Sequence, residues 1–105
     1  MAITNSQLGA TAKTVIFDAT GENAVTCIIF CNTSASTDAT VSVWAVPAGF
    51  PAGDGNMILN EVSVPAGETF SMDTERFIFA DSDSLQAQAS QDTIITATVS
   101  YVQTG

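Results

Sequence analysis

The sequence predicts an all-β protein: an antiparallel β-sandwich of about eight strands, immunoglobulin-like or jelly-roll-like. Short segments rich in Val, Ile and Thr recur between turn residues, and such β-branched side chains favour a pleated surface. Several segments alternate apolar and polar residues, whereas none shows a helical period. The 105 residues form one domain. We divide it into an N-terminal arm, residues 1–12, and a sandwich domain, residues 13–105.

The first half of the chain supplies an arm and three strands. The arm is small and polar without a clear period, so it is not assigned to a strand. Residues 13–18 (KTVIFD) form a strand that ends at a Thr-Gly turn. Residues 24–31 (AVTCIIFC) are nearly all apolar, which is typical of a central strand covered on both sides. A loop of small polar residues follows, and residues 41–46 form the third strand.

The second half supplies five more strands. Residues 57–64, 69–73 and 76–79 are apolar enough for short strands. Residues 84–90 alternate strictly between apolar and polar, which indicates a sheet with one wet face. Residues 93–102 form the longest strand.

Two Val-Pro-Ala-Gly segments, residues 46–49 and 64–67, follow strands. Proline suits the second position of a type I or II turn, and glycine tolerates a positive φ, so both segments predict turns. The longer loop after the first lacks the glycine spacing of a phosphate-binding loop. Its bulky side chain, Phe50, either folds back over the core or contacts a partner. Trp44 is expected in the core; the alternative is that it stacks on sugar together with Phe50.

The charge of the chain excludes several classes of function. The net charge is −9, and Lys13 and Arg76 are the two basic residues. Nucleic acids and anionic membranes both attract clusters of basic side chains, so neither is an expected partner. The N-terminus lacks the basic and apolar regions of a signal peptide, and none is expected.

The residues that carry most enzyme chemistry are missing. The chain contains no histidine, which removes the usual general base and the commonest metal ligand. Cys27 and Cys31 lie four residues apart on one strand, so their Cα atoms are about 13 Å apart. A disulfide spans about 4.4–6.8 Å between Cα atoms, so they cannot pair with each other. They are expected to be core thiols, with a disulfide to a neighbouring subunit as the alternative.

Two carboxylate pairs, Asp73 with Glu75 and Asp81 with Asp83, have a spacing of two residues. We expect these carboxylates to be solvated turn residues. The alternative is a calcium site, for which Asp81 and Asp83 are the candidates. No catalytic residue, cofactor or bound metal is expected, and the protein is not expected to be an enzyme.

Six short motifs are spread over most of the chain: Ile3–Asn5 (ITN), Phe30–Ser34 (FCNTS), Val46–Gly49 (VPAG), Val64–Thr69 (VPAGET), Met72–Glu75 (MDTE) and Ile95–Tyr101 (ITATVSY). In these motifs the chain resembles a group of small virion structural proteins of tailed bacteriophages, found in marine and cyanobacterial phages. The resemblance covers most of the chain. In place of the group's Gly-Asp-Ser turn, this chain has Ser82-Asp83-Ser84.

The resemblance implies a virion component, assembled in the host cytoplasm, that stabilises the capsid as a decoration or cement protein. Its implied partners are the major capsid protein or other virion proteins and further copies of itself, with a homotrimer favoured. Candidate partner contacts are Ile3 and Leu8 in the arm and Phe50 and Pro51 in the loop. The alternatives are a tail, neck, baseplate or fibre-attachment module, and a carbohydrate-binding adhesin.

Overall fold

The computed structural model describes residues 2–72 and 77–104, which form nine β-strands in two packed antiparallel sheets. Sheet A contains β1, β9, β3 and β6 in that order, with β7 also paired to β3; sheet B contains β2, β8, β4 and β5. The predicted β-sandwich is confirmed. The strands are β1 (Ala2–Gln7), β2 (Thr14–Asp18), β3 (Asn23–Asn32), β4 (Ala39–Val46), β5 (Met57–Val64), β6 (Thr69–Met72), β7 (Phe77–Phe79), β8 (Ser84–Ala89) and β9 (Ile95–Gln103), and a 3₁₀ turn covers Asp54–Asn56.

All eight predicted strands are present as β2 to β9, and each described end lies within two residues of its predicted position. The predicted end of one strand at residue 73 and the start of the next at residue 76 lie outside the described residues. The carboxylate pair of Asp73 and Glu75 lies there too.

The order of pairing identifies the sandwich as a jelly roll. Antiparallel partners are nested: β1 pairs with β9, β2 with β8, β3 with β6, and β4 with β5. Two four-stranded layers built in this way are a jelly roll. An immunoglobulin sandwich places its first two strands side by side in one sheet, whereas β1 and β2 lie in different sheets here.

The N-terminal arm differs from the expectation. Residues Ala2–Gln7 form the edge strand β1, which pairs with β9 from Ala2 opposite Tyr101 to Gln7 opposite Thr96. Leu8 follows directly and is 1% exposed, inside the core between the sheets. The expectation that Leu8 contacts a partner is therefore wrong, because a side chain enclosed by both sheets is out of reach of a partner.

The core lies between the two sheets and is built by the alternating side chains of each strand. Phe30 on β3 and Val43 on β4 have no exposed surface. Phe17 on β2 bridges the sheets, with its ring centroid 5.7 Å from that of Phe79 and 4.8 Å from that of Tyr101. Burial of large apolar side chains from both layers is the main stabilisation of such a sandwich.

Asn32 is the best-buried polar side chain of the described residues, with 1% exposed. Its amide Nδ2 donates to the carbonyl oxygens of Thr37 and Val64, at 2.8 and 2.9 Å. Its Oδ1 accepts from the backbone N–H of Ser34 at 2.9 Å. The side chain thereby connects the end of β3 to the β3–β4 loop and to the end of β5, and these bonds offset the cost of burying an amide.

The turn between β7 and β8 contains a serine with φ of +70° at Ser82. A positive φ is uncommon for residues other than glycine because Cβ crowds the backbone. The turn therefore has a backbone shape suited to glycine at this position, and it tolerates serine at a cost.

Replacing Ser82 with glycine is expected to stabilise the protein by about 0.5–1 kcal/mol, since the substitution relieves the strain of the positive φ. The backbone N–H of residue 82, which donates to the carbonyl of Ala19 at 2.9 Å, is retained. The measurement is the midpoint of urea unfolding followed by Trp44 fluorescence. Ser36→Gly is the control, because Ser36 is exposed and has no positive φ; it should be neutral or slightly destabilising. A loss of stability in Ser82→Gly would contradict the interpretation.

Candidate functional site

The loop between β4 and β5, residues 47–56, presents Phe50 to solvent. Phe50 is 66% exposed, so the interpretation as a cover over the core is wrong. The backbone N–H of Phe50 donates to the carbonyl of Pro47 at 3.1 Å, and Gly49 has a φ of +81°. This is a type II turn, in which the third position requires a positive φ. The turn holds Phe50 clear of the sandwich.

The second Val-Pro-Ala-Gly segment makes the same turn: Glu68 donates to Pro65 at 3.0 Å, and Gly67 has a φ of +74°. The prediction that both segments are turns is confirmed. Proline occupies the first position of each turn rather than the expected second one, because the glycine is needed at the third.

Side chains from outside the turn fix the loop that carries Phe50. Asp83 accepts a hydrogen bond from the backbone N–H of Ala48 at 2.8 Å. Asn56 accepts from the N–H of Gly53 at 3.0 Å and donates to the carbonyl of Pro51 at 3.0 Å. A loop held in this way loses little conformational entropy when a partner binds, which favours a preformed contact.

A depression of about 200 Å³ lies beside this loop. Its apolar lining includes Pro47 from the loop and Ile78 from β7, and Ile78 is 64% exposed. Pro51 is also exposed. We call Pro47, Phe50 and Pro51 the loop-end surface. These exposed apolar residues lie close together along the loop, which makes the loop a candidate contact with a partner.

Asp83 and Asp81 act as structural acceptors in the loops of the same end. The two carboxylate oxygens of Asp83 accept from the backbone N–H groups of Ala48 and Ala80, at 2.8 and 2.9 Å. Asp81 accepts from the N–H of Gly21 at 2.9 Å. The two carboxylates thus bind amides of different loops. Within residues 2–72 and 77–104, no group of three or more metal-binding side chains could hold an ion.

The outer side of sheet A forms a second candidate surface, which we call the sheet A face. Its side chains alternate with those of the core along each strand. The described strands of this sheet contain no charged residue. In rows across the sheet, the face consists of Val102 beside Ala24 and Ile78; Ile3 beside Ser100 and Cys27; Asn5 beside Thr98, Ile29 and Ser71; and Gln7 beside Thr96, Cys31 and Thr69.

The sheet A face contains Ile3, the remaining partner-contact candidate, which is 64% exposed. It also contains Cys27 and Cys31, both free and half-buried. The expectation that these thiols lie in the core is therefore wrong: Ile28 and Phe30, their neighbours along β3, point into the core instead. The apolar run of β3 disguised the alternation, since both of its faces carry apolar or thiol side chains.

Trp44 lies on the outer side of sheet B. It is buried, with 6% exposed, yet it lies outside the core cluster, and the Nζ of Lys13 is 4.8 Å from its ring centroid. The ring borders a depression of about 340 Å³ whose other walls are hydroxyl, amide, carboxylate and alanine side chains. The expected burial of Trp44 is confirmed, whereas its expected place in the core is not.

Sequence reasoning did not include Ile78 among the contact candidates. The signal was present in the segment Phe77-Ile78-Phe79, because alternation along a strand turns the central residue away from both neighbours. Its phenylalanines are half-buried and buried while Ile78 faces solvent.

Comparisons with known proteins add no relative: no family model, curated protein or solved structure matches this chain. Among the described residues, no helix has the length and apolar character needed to cross a membrane.

Proposed function

We propose that this chain is a non-enzymatic structural protein of a tailed-phage particle, and specifically a decoration or cement protein of the capsid. The observation that carries the proposal is the exposure of Phe50 on a loop held by hydrogen bonds to Asp83 and Asn56. The sequence resemblance to phage virion proteins points to the same class. Jelly rolls occur in viral capsid proteins, and also in lectins and cupins, so the fold agrees with the proposal without selecting it.

The proposed partner is the major capsid protein, with Phe50 inserted into an apolar site on the shell. Fully burying a phenylalanine side chain contributes about 1.5–3 kcal/mol. Because the decoration protein binds the assembled shell and not free capsid subunits, its binding free energy adds to the stability of the shell. The loop is held by hydrogen bonds to Asp83 and Asn56, which reduces the entropy lost on docking.

The proposal is tested by the copy number of this chain in purified particles, measured against the major capsid protein by quantitative mass spectrometry. A copy number of the same order as that of the major capsid protein supports decoration. A copy number far below it places the protein in the tail, neck, baseplate or fibres instead. Absence from the particle would sink the virion hypothesis altogether.

Replacing Phe50 with serine is expected to reduce shell occupancy at least tenfold, because the apolar contact is lost while the turn around it is kept. The measurement is binding of purified variants to shells stripped of this protein. Val15→Ser is the matched control: Val15 is 52% exposed on the other flank of the sandwich, at β2. Equal losses for both variants, or none for Phe50→Ser, would show that the loop-end surface is not the contact.

A carbohydrate-binding adhesin is the second candidate, favoured by the depression beside Trp44. Its walls include Ser42, Asn60 and Gln88, side chains that hydrogen-bond sugar hydroxyls. The ring itself offers only 6% of its surface, which leaves little for stacking. Trp44 is the single tryptophan of the chain, so its fluorescence would report binding directly. A saturable change on titration with a glycan from an array screen would favour this candidate.

A further inference from the structure

We propose that two copies of this chain pair face to face through the sheet A face, around a two-fold axis. The resulting assembly is a dimer rather than the trimer favoured by the sequence analysis. The proposal goes beyond the capsid function and does not rest on it, since it concerns the purified chain alone.

Charge selects a second copy as the occupant. The net charge of −9 makes copies repel each other wherever their carboxylates approach. The described carboxylates lie on the connecting loops and on sheet B, and none lies in a strand of sheet A. Asp73, Glu75 and Arg76 fall between β6 and β7 in the sequence, outside the described residues. A basic partner would be drawn to the acidic loops, so an uncharged face suits another uncharged face.

Two hydrogen-bonded groups of polar side chains, Thr98 with Asn5 and Thr26 with Ser100, lie within the sheet A face. The Thr98 hydroxyl donates to the Asn5 side-chain oxygen at 2.7 Å. The Thr26 hydroxyl, beside the bulge of β3, lies 3.2 Å from the Ser100 carbonyl oxygen and 3.3 Å from the Ser100 hydroxyl. Burying a polar group is costly when the group has no hydrogen-bond partner in the buried state. These side chains keep their hydrogen bonds when a second copy covers the face.

The area of the face suffices for a specific interface. Its main path is four strands wide, and its longest strands, β3 and β9, have ten and nine residues. The strands of sheet A contain 6, 10, 4, 3 and 9 residues, 32 in all. With strands ~4.8 Å apart and ~3.3 Å per residue, each residue covers ~16 Å², so the face covers about 500 Å² per copy. Pairing two copies buries about 1,000 Å² in total, which reaches the lower bound for a specific protein interface. Ile3 and Ile78, both 64% exposed, lie at the opposite flanks of the face and lose their contact with water.

The experiment is sedimentation velocity of the purified chain at micromolar to submillimolar concentration, in reducing buffer. We expect a species of twice the chain mass. Thr98→Glu places a carboxylate in the middle of the face, and each dimer then contains two. The dissociation constant should rise at least thirtyfold, because like charges meet in a desolvated interface. Thr96→Glu, on the same strand and face, guards against loss of folding in Thr98→Glu.

Thr40→Glu is the matched control. Thr40 is also a half-buried threonine in a strand, but it borders the depression on the outer side of sheet B. This variant should sediment as the wild type does. A monomer or trimer in the wild type would overturn the proposal. A dimer that survives both Thr96→Glu and Thr98→Glu in folded form, as judged by circular dichroism, would also overturn it.

The free cysteines provide an independent readout. Cys27 and Cys31 lie on the sheet A face, so the dimer covers both thiols. We expect a maleimide to label them more slowly in the wild type, at a protein concentration that favours the dimer, than in the Thr98→Glu variant at the same concentration. Equal labelling rates would contradict the proposal. Neither measurement involves a virus particle, so a negative result in either one would not contradict the proposed capsid function.

Discussion

Phe30→Ala is expected to lower the free energy of unfolding by about 3–5 kcal/mol, the range for truncating a buried phenylalanine. Phe30 has no exposed surface and lies in the second half of β3, a strand paired on both sides within sheet A. It is paired to Phe70 on β6 and to Ala97 on β9. These strands are fixed by their hydrogen bonds, so the space left by the ring can close only in part. The loss is a large share of the ~5–15 kcal/mol that stabilises a typical domain.

The measurement is urea unfolding followed by Trp44 fluorescence, with Phe50→Ala as the matched control. Phe50 is the same residue type but is 66% exposed. Surface substitutions of this kind change stability by about 0.5 kcal/mol or less. Similar losses for the two variants would mean that Phe50 packs on the sandwich. Similar stability of Phe30→Ala and the wild type would contradict the described core.

Asn32→Ala is expected to lower the free energy of unfolding by about 2–4 kcal/mol. The substitution removes three hydrogen bonds and strands the carbonyl oxygens of Thr37 and Val64. Val64 is 1% exposed, so water does not readily replace the lost donor. A buried acceptor left without its partner costs about 1–3 kcal/mol. The loop between β3 and β4 also loses its anchor.

Two measurements separate these effects. Urea unfolding gives the total loss, with Asn60→Ala as the control, because Asn60 is an exposed asparagine on β5. Hydrogen exchange reports the loop: the N–H of Ser34 should exchange much faster in Asn32→Ala, while the interior of β9 changes only with global stability. Unchanged exchange at Ser34 would show that the side chain does not hold the loop.

The strands were predictable because most of them alternate apolar residues that are buried with polar residues that are more exposed. In β8, Leu85, Ala87 and Ala89 are buried, while Gln86 and Gln88 are half-buried, as the period of two requires. The nested pairing was not predictable, because alternation shows which side of a strand is buried but not which strand lies beside it. The sequence alone therefore does not distinguish an immunoglobulin-like sandwich from a jelly roll.

The first strand escaped prediction for a physical reason. β1 is an edge strand, and its inward side chains, Thr4 and Ser6, are small and polar. Six backbone pairs with β9 hold it, and such pairing depends little on side-chain identity. Leu8 carries the apolar contact just beyond the strand. It was visible in the sequence, but one leucine without a periodic neighbour does not distinguish an anchor from an exposed contact.

The contact candidates were predictable only in part. Phe50 is recognisable in the sequence as one bulky residue between two Pro-Ala-Gly segments. The direction of its side chain depends on the turn at Gly49. The sequence predicts the positive φ of that glycine, but not that the turn places the phenylalanine ring in solvent. The sheet A face was hidden by its chemistry. Thr, Ser, Cys and Ile occur equally in cores and on uncharged surfaces, so composition does not tell the two sides of β3 apart.

The nested pairing also sets an order of folding. The closest pair of the inner hairpin, Trp44 with Met57, is 57 − 44 = 13 residues apart, and the outermost, Ala2 with Tyr101, is 101 − 2 = 99 residues apart. Closing the outer pair in an open chain costs about 1.8 kcal/mol more loop entropy than closing the inner one. Once the inner strands have met, most of that loop is already closed. The chain is thus expected to fold from its middle outward: substitutions in β4 should slow folding, and those in β1 should mainly speed unfolding.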